Sequence, residues 1–158
     1  MLRIMLTTSD SWYSRVLAWI QHSPYAHASI VLPDGRLLDS NICPGVDLEG
    51  NVVKSGVAIR EPDYQKFIAK LVITFPDAPD SITERALRNI GEKFDWTGLF
   101  YFLLPYGYKR DWNETDGFYC SELITWCAKE EGYALLHPNV LFNAISPRDL
   151  MLSPRGVW

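Results

Sequence analysis

The pattern of apolar and polar positions at the start of the chain predicts a strand followed by a helix. Residues 2–6 (LRIML) form a short apolar run that is typical of a strand. The polar stretch 7–11 (TTSDS) then supplies residues that favour a helix N-terminus. After it, Trp12, Val16 and Ile20 repeat at helical spacing, so we expect a helix with one apolar face.

The middle of the chain predicts a small antiparallel sheet. Segments 27–32 and 36–40 are strand-like, and the sequence LPDG at 32–35 has the composition of a type I turn followed by a left-handed glycine. This pattern indicates a β-hairpin. Two further strands are expected around 51–60 and 67–75. Segment 67–75 has apolar residues at both odd- and even-numbered positions, so we expect this strand to be buried on both faces.

Two more helices are expected in the second half of the chain. Ser81 and Glu84 have the spacing of a capping box, and an apolar stripe at helical spacing follows them. A third helix should begin near Phe118 and end before Gly132, which places Cys120 in its first turn. The Pro- and Asn-rich tail favours loops and short turns over long elements.

Composition and charge narrow the class of protein. The 158 residues are 47% hydrophobic and 22% charged, as in globular proteins, and we expect one domain spanning 1–158. The net charge is −4 and no Lys/Arg run exceeds two residues, so a nucleic-acid partner is not expected. The start lacks a signal-peptide core and no segment is apolar for long enough to span a membrane, which favours a soluble cytoplasmic protein.

The three cysteines differ in their predicted surroundings. Their odd number and the lack of a CxxC pair argue against a disulfide framework and a zinc knuckle. Cys120 is a candidate nucleophile, because unpaired N–H groups and the dipole at a helix start stabilise a thiolate and a developing oxyanion. The alternative is that Cys120 is a small buried core residue. Cys127 lies in the helix interior and Cys43 in an irregular loop, so we interpret both as structural.

His27 is the candidate base because it opens a predicted strand. If residues 33–35 form a three-residue loop, Asp39 falls opposite Ser29 and diagonal to His27 on the same face of the hairpin. A carboxylate there would fix the tautomer of the imidazole and stabilise its charged form. A two-residue loop would turn Asp39 to the other face. The alternative for His27 is a hydrogen-bonded histidine without a catalytic role.

Three segments together resemble a known superfamily. SPYAHASIVLPDGRLLDS, GEKFDWTGLF and DGFYCSELITWCAKEEG are similar to the circularly permuted NlpC-type papain-like proteins, the YiiX/YebB-like group. The resemblance covers roughly residues 20–40 and 90–132, and YCSEL at 119–123 is its most specific piece. It departs from the group at Phe94, where relatives often have Tyr, and at Asp39, where Glu or another polar residue is frequent.

This resemblance implies an α+β fold in which a small antiparallel β-sheet or barrel packs against a cysteine-bearing helix, with additional helices. It implies a cysteine hydrolase that works through a thioester, with Cys120 as nucleophile, His27 as base and Asp39 as the third residue. No metal or organic cofactor is implied. Tyr25 and Trp96 lie near these residues in the motif segments and are candidates for a substrate-binding wall, although clustered aromatics are more often core.

The substrate stays open at this point. Relatives include peptidases of peptidoglycan stem peptides and enzymes acting on lipid or other acyl bonds. We favour an amide bond, with bacterial cell-wall stem peptides as the leading candidate, because the chain lacks a membrane anchor, a basic run and a basic amphipathic helix. A cell-wall substrate would require delivery by lysis, a secretion system or a virus particle, since no export signal is present.

Two alternative functions would use the same residues but would not involve hydrolysis. A binding module could carry the fold with a silent triad. A metal site would need Cys120, His27 and Asp39, with Cys127 as a further ligand, to converge. We disfavour the metal site because tetrahedral sites usually draw two ligands from one short motif.

Overall fold

The computed structural model describes residues 1–102, 117–136 and 145–158. These residues form seven strands and five helices. The strands are β1 (Leu2–Ser9), β2 (His27–Val31), β3 (Leu37–Asn41), β4 (Gly45–Val46), β5 (Val52–Val53), β6 (Gly56–Arg60) and β7 (Phe67–Phe75). The helices are α1 (Trp12–Ile20), α2 (Ser81–Arg88), α3 (Trp96–Phe102), α4 (Cys120–Glu130) and α5 (Pro147–Met151). The chain is therefore mixed α+β, as the sequence predicts.

The strands form one antiparallel sheet in the order β5-β4-β6-β3-β2-β1-β7. The predicted strand at 51–60 is instead divided into β5 and β6, and β4 was not expected. The division occurs before Gly56, whose φ of +102° is in the region that favours glycine. A Cβ at Gly56 would lie 2.0 Å from the Glu92 carbonyl oxygen, so the close approach of these two segments requires glycine.

The hairpin between β2 and β3 has the predicted three-residue loop. Val31 pairs with Leu37, and the Leu32 amide donates to the Arg36 carbonyl at 2.9 Å. Gly35 has φ +90° and closes the loop. The register confirms the expectation that Asp39 lies opposite Ser29.

The hydrophobic core lies between one face of the sheet and helices α2 and α4. On β2 and β3, core residues alternate with the polar residues of the opposite face, as strand geometry requires. The core includes the following side chains of the sheet and of α4: Ile4, Leu6, Ala28, Ile30, Leu38, Ile59, Ile73, Leu123, Ile124, Cys127 and Ala128. Helix α4, which begins at the candidate nucleophile, is therefore fixed firmly to the sheet.

Several predicted details are wrong. Helix α2 has Asp80 as its N-cap, and Ser81 instead hydrogen-bonds to Glu131 at the end of α4. The expected start of helix α4 near Phe118 is correct to within two residues, since the helix begins at Cys120. Strand β7 is only partly buried along its first half, because it lies at the edge of the sheet. The helix α3 was not predicted.

Helix α1 has the predicted span but an unexpected orientation. The residues it buries are the small Ser14 and Ala18, and the Ser14 hydroxyl accepts a hydrogen bond from the Ser9 amide at 3.0 Å. Small residues allow the helix to approach β1 closely. The predicted apolar face, which begins at Trp12, therefore points away from the core.

Candidate active site

His27 and Asp39 meet on the polar face of the hairpin. His27 Nε2 lies 2.6 Å from Asp39 Oδ2, and the Ser29 hydroxyl donates to the same oxygen at 2.7 Å. The Asp39 side chain is 0% exposed and that of His27 is 15% exposed. Asp39 is therefore buried beneath His27, and its carboxylate fixes the orientation of the imidazole.

Arg60 holds the other oxygen of the same carboxylate. Its guanidinium donates to Asp39 Oδ1, and it also donates to the backbone carbonyls of Asp39, Ala58, Gly56 and Cys43. Although burial alone would raise the pKa of Asp39, the nearby His27 and Arg60 together hold that pKa below its usual value. Asp39 therefore places a buried negative charge beneath His27.

Cys120 reaches His27 from the first turn of α4. Tyr119 precedes it in an extended conformation, with φ −92° and ψ 172°, so Cys120 is the first helical residue. Its side chain is hydrogen-bonded to His27. Burial alone would lower the pKa of His27, but the negative charges of Cys120 and Asp39 and their hydrogen bonds raise it to about 10. The arrangement stabilises the protonated imidazole beside the sulfur.

One contact joins the start of α4 to the hairpin, and a second caps the helix. The Ser40 hydroxyl, between Asp39 and Asn41 on β3, donates to the Phe118 carbonyl. The Glu122 carboxyl accepts a hydrogen bond from the Tyr119 amide at 3.3 Å. Burial raises the pKa of Glu122 to about 8, with a further contribution from Asp95. A neutral Glu122 leaves the first turn of α4 without an added negative charge near the thiol.

Asn41 completes the wall beside the imidazole. Its Nδ2 lies 3.3 Å from His27 Nε2 and donates to the Tyr64 hydroxyl at 2.7 Å. Its Oδ1 accepts from the Cys43 amide at 3.1 Å. Sequence reasoning missed Asn41, although the two-residue period of β3 places it on the same face as Asp39. It also missed Arg60. The signal in the sequence was that Arg60 is a single charged residue at the end of the otherwise uncharged strand β6 (GVAIR).

Cys120 and His27 open onto a cavity of about 520 Å³. Of the two predicted wall residues, Trp96 lines this cavity, whereas Tyr25 is not among its lining residues and packs against the hydrophobic core. Helix α1 contributes Trp12, Val16, Leu17 and Ile20, and the segment 94–100 contributes Phe94, Trp96, Leu99 and Phe100. No Asp, Glu, Lys or Arg occurs among the described lining residues.

The other two cysteines lie in different surroundings. Cys127 is fully buried in the core, and this burial raises the pKa of its thiol to about 12. Cys43 is partly exposed in the loop between β3 and β4. All three thiols are free. Within the described ranges, no three His, Cys, Asp or Glu side chains converge as metal ligands would.

Comparison with known proteins adds no functional assignment to this geometry. No family model matches the chain, and no curated protein is significantly similar to it. No helix in the described part of the chain is long and apolar enough to cross a membrane. The functional argument therefore depends on the residues of the site.

Proposed function

We propose that the protein is a cysteine hydrolase with Cys120 as nucleophile, His27 as acid and base, and Asp39 as the residue that positions His27. The observation that carries this proposal is the continuous series of contacts from Cys120 to His27 to Asp39. A nucleophile, a base within contact and a third group that orients the base are the elements of nucleophilic catalysis.

In the proposed reaction the Cys120 thiolate attacks the substrate carbonyl carbon and forms a C–S bond. The oxyanion of the tetrahedral intermediate accepts hydrogen bonds from backbone N–H groups in the first turn of α4, which have no carbonyl partner within the helix. Since Nε2 of His27 is held by Asp39, its Nδ1 is the nitrogen that faces the sulfur and donates a proton to the leaving group. The bond to the leaving group breaks and a thioester remains.

The second half of the reaction regenerates the enzyme. His27, now neutral, takes a proton from water as the water oxygen attacks the thioester carbonyl. The C–S bond breaks, the acid product leaves, and Cys120 returns to a thiolate beside protonated His27. No metal or organic cofactor takes part in either half.

We extend the proposal to the fold and assign the chain to the circularly permuted papain-like type. The support is topological: the histidine strand β2 precedes the cysteine helix α4 in the chain, and α4 packs on an antiparallel sheet. The resemblance of YCSEL at the start of α4 points in the same direction.

Selective alkylation tests the nucleophile. Cys43 is more exposed than Cys120, so accessibility alone would make iodoacetamide label Cys43 first. An activated thiolate reverses this order, and peptide mass spectrometry should find Cys120 carboxamidomethylated first. His27→Gln should remove the preference, and Cys120→Ala should abolish fast labelling. Labelling of Cys43 first in the wild type would favour a silent binding module.

The bond that is cleaved has two candidates. The sequence favoured an amide, with peptidoglycan stem peptides as the leading substrate. An acyl ester or thioester is the second candidate, and the cavity favours it. Stem peptides carry free carboxylates and ammonium groups, and no described residue of the cavity wall offers a formal charge to pair with them, His27 excepted.

A further inference from the structure

We propose that the Thr7 hydroxyl holds the water molecule that hydrolyses the thioester on Cys120. This inference rests on the proposed function and deepens it, since it assigns a further catalytic residue to the second half of the same reaction. That half requires a water molecule in contact with His27 and within reach of the thioester carbonyl. The position of Thr7 in the sheet and the state of its hydroxyl both support the assignment.

Thr7 lies directly beside His27 in the sheet. The two residues are partners in the antiparallel pairing of β1 with β2, and the side chains of directly paired residues share one face. Strand β1 borders β2 on the side opposite β3. Because β3 supplies Asp39 and Asn41, which contact His27 Nε2, Thr7 flanks the imidazole from the other side. Thr7 and His27 both line the cavity that contains Cys120.

The Thr7 hydroxyl is buried without a hydrogen-bond partner. The residue is 1% exposed, and no group in the described part of the chain forms a hydrogen bond with its Oγ1. Two other hydroxyls along the cavity differ, since Ser14 Oγ accepts from the Ser9 amide and Ser9 Oγ pairs with Ser11 Oγ. An unpaired buried hydroxyl is unfavourable, and valine would have the same shape without this cost. The hydroxyl at this position therefore favours a partner that arrives with the reaction.

Two further buried polar atoms along the cavity are also unpartnered within the described ranges. They are Ser121 Oγ on α4 and Gln21 Oε1 at the end of α1. Neither residue is paired with His27 in the sheet, whereas Thr7 is. A water molecule held in a cavity needs two to four polar partners, and the attacking water must contact the base. Thr7 is therefore the unpartnered group that we assign to it.

In the proposed step the water donates one O–H to Nδ1 of neutral His27 and the other to Thr7 Oγ1. These two acceptors orient the water so that a lone pair faces the thioester carbonyl carbon. The C–O bond forms as one proton passes to Nδ1, and the C–S bond then breaks with its electron pair on the Cys120 sulfur. The second proton stays on the acid product, and Thr7 keeps its own proton throughout.

The two halves of the reaction can be timed separately. Each protein should be mixed with p-nitrophenyl acetate, and the gain and loss of the acetyl group followed by quench-flow and intact-mass spectrometry, with Cys120→Ala as the background. Thr7→Val should be acetylated at the wild-type rate, because water takes no part in that half. Its deacetylation should be about tenfold slower, which is the effect of one hydrogen bond lost from the transition state. Thr7→Ser keeps the hydroxyl and should deacetylate at close to the wild-type rate.

Thermal melts separate this role from a structural one. Because Thr7 Oγ1 has no partner in the described part of the chain, Thr7→Val should melt at the wild-type temperature or above it. Thr8→Val is the comparison on the same strand, since the Thr8 hydroxyl donates to the Pro24 carbonyl, and it should melt at a lower temperature. Thr74→Val is the control for the rates, because Thr74 lies on β7 and is not among the cavity-lining residues. It should be acetylated and deacetylated as the wild type is.

The outcomes separate the role of Thr7 from the proposed function. Deacetylation of Thr7→Val at the wild-type rate would overturn the assignment and leave the hydrolase intact. The assignment would also be wrong if acetylation and deacetylation slowed by the same factor while the melting temperature fell, because the hydroxyl would then be structural. Absence of Cys120-dependent acetylation in the wild type would instead overturn the proposed function, and the role of Thr7 with it.

Discussion

Arg60 and Asp39 form an ion pair in which neither side chain is exposed to solvent. Asp39 uses one carboxylate oxygen for Arg60 and the other for His27 and Ser29. Arg60 in turn holds backbone carbonyls of β3, of the loop after it and of β6. The residue that orients the candidate base is therefore also the centre of the polar network that joins β3 to β6.

Replacement of Arg60 by Met should strongly destabilise the fold. The change leaves the Asp39 charge buried with one partner fewer and leaves several carbonyls without their donor. Breaking a buried pair costs about 3–5 kcal/mol, and we expect a loss of this order in the free energy of unfolding from urea denaturation. Arg36→Met is the control, because the Arg36–Asp34 pair is exposed, and it should cost much less. Equal losses would mean that the buried network contributes little.

The titration of His27 should depend on both of its neighbours. We expect an NMR titration of the imidazole to find its pKa near 10 in the wild type. Loss of one opposite charge by Cys120→Ala should lower this pKa by about 1–3 units. Asp39→Asn should lower it in the same direction at a temperature where the variant remains folded. A pKa that is unchanged in both variants would contradict the assigned contacts.

The raised pKa of His27 also determines how stability depends on pH. Because the folded state holds the proton more tightly than the unfolded state, the stabilisation is fully present below about pH 6.5, the unfolded pKa. It is lost as the pH rises through about 10. In the Cys120→Ala variant the folded-state pKa of His27 should be lower. The stabilisation at low pH should therefore be smaller, and it should be lost completely at a lower pH than in the wild type.

Glu122→Gln should flatten part of the pH dependence of stability. The folded-state pKa of Glu122 is about 8, above its usual value of 4.5, so between these values the folded state binds the proton more strongly. The free energy of unfolding should therefore fall as pH rises through this window, by up to about 1.4 kcal/mol per unit. Gln keeps an acceptor for the Tyr119 amide and does not ionise. Urea denaturation at pH 5 and pH 9 should show a smaller difference for Glu122→Gln than for the wild type.

The sequence predicted the hairpin well because its turn chemistry is local. The composition of 32–35 determines the loop, the loop determines the register, and the register places Asp39 beside His27. The helix start at Cys120 was found to within two residues for a similar reason. Short-range signals were sufficient for the residues of the proposed triad.

The remaining features depend on long-range packing that periodicity does not report. Arg60 reaches Asp39 only because β6 pairs with β3, and nothing in the local sequence of either strand specifies that pairing. The helical spacing of α1 identified an apolar face, but it did not indicate whether that face packs against the sheet or lines a cavity. Because Ser14 and Ala18 pack against the sheet, the face of α1 that begins at Trp12 is turned toward the cavity.

The three thiols should differ in their effect on hydrolysis. Cys127→Ala removes a sulfur from the core seven residues after Cys120 on the same helix, and it should cost stability of the order of 1 kcal/mol. Hydrolysis should persist, because this thiol faces the core and its raised pKa of about 12 keeps it protonated. Cys43→Ala should also keep activity, since only its backbone amide contacts Asn41 and only its carbonyl contacts Arg60. Cys120→Ala should abolish turnover without unfolding. Turnover lost in a folded Cys127→Ala protein would contradict the ranking of the thiols.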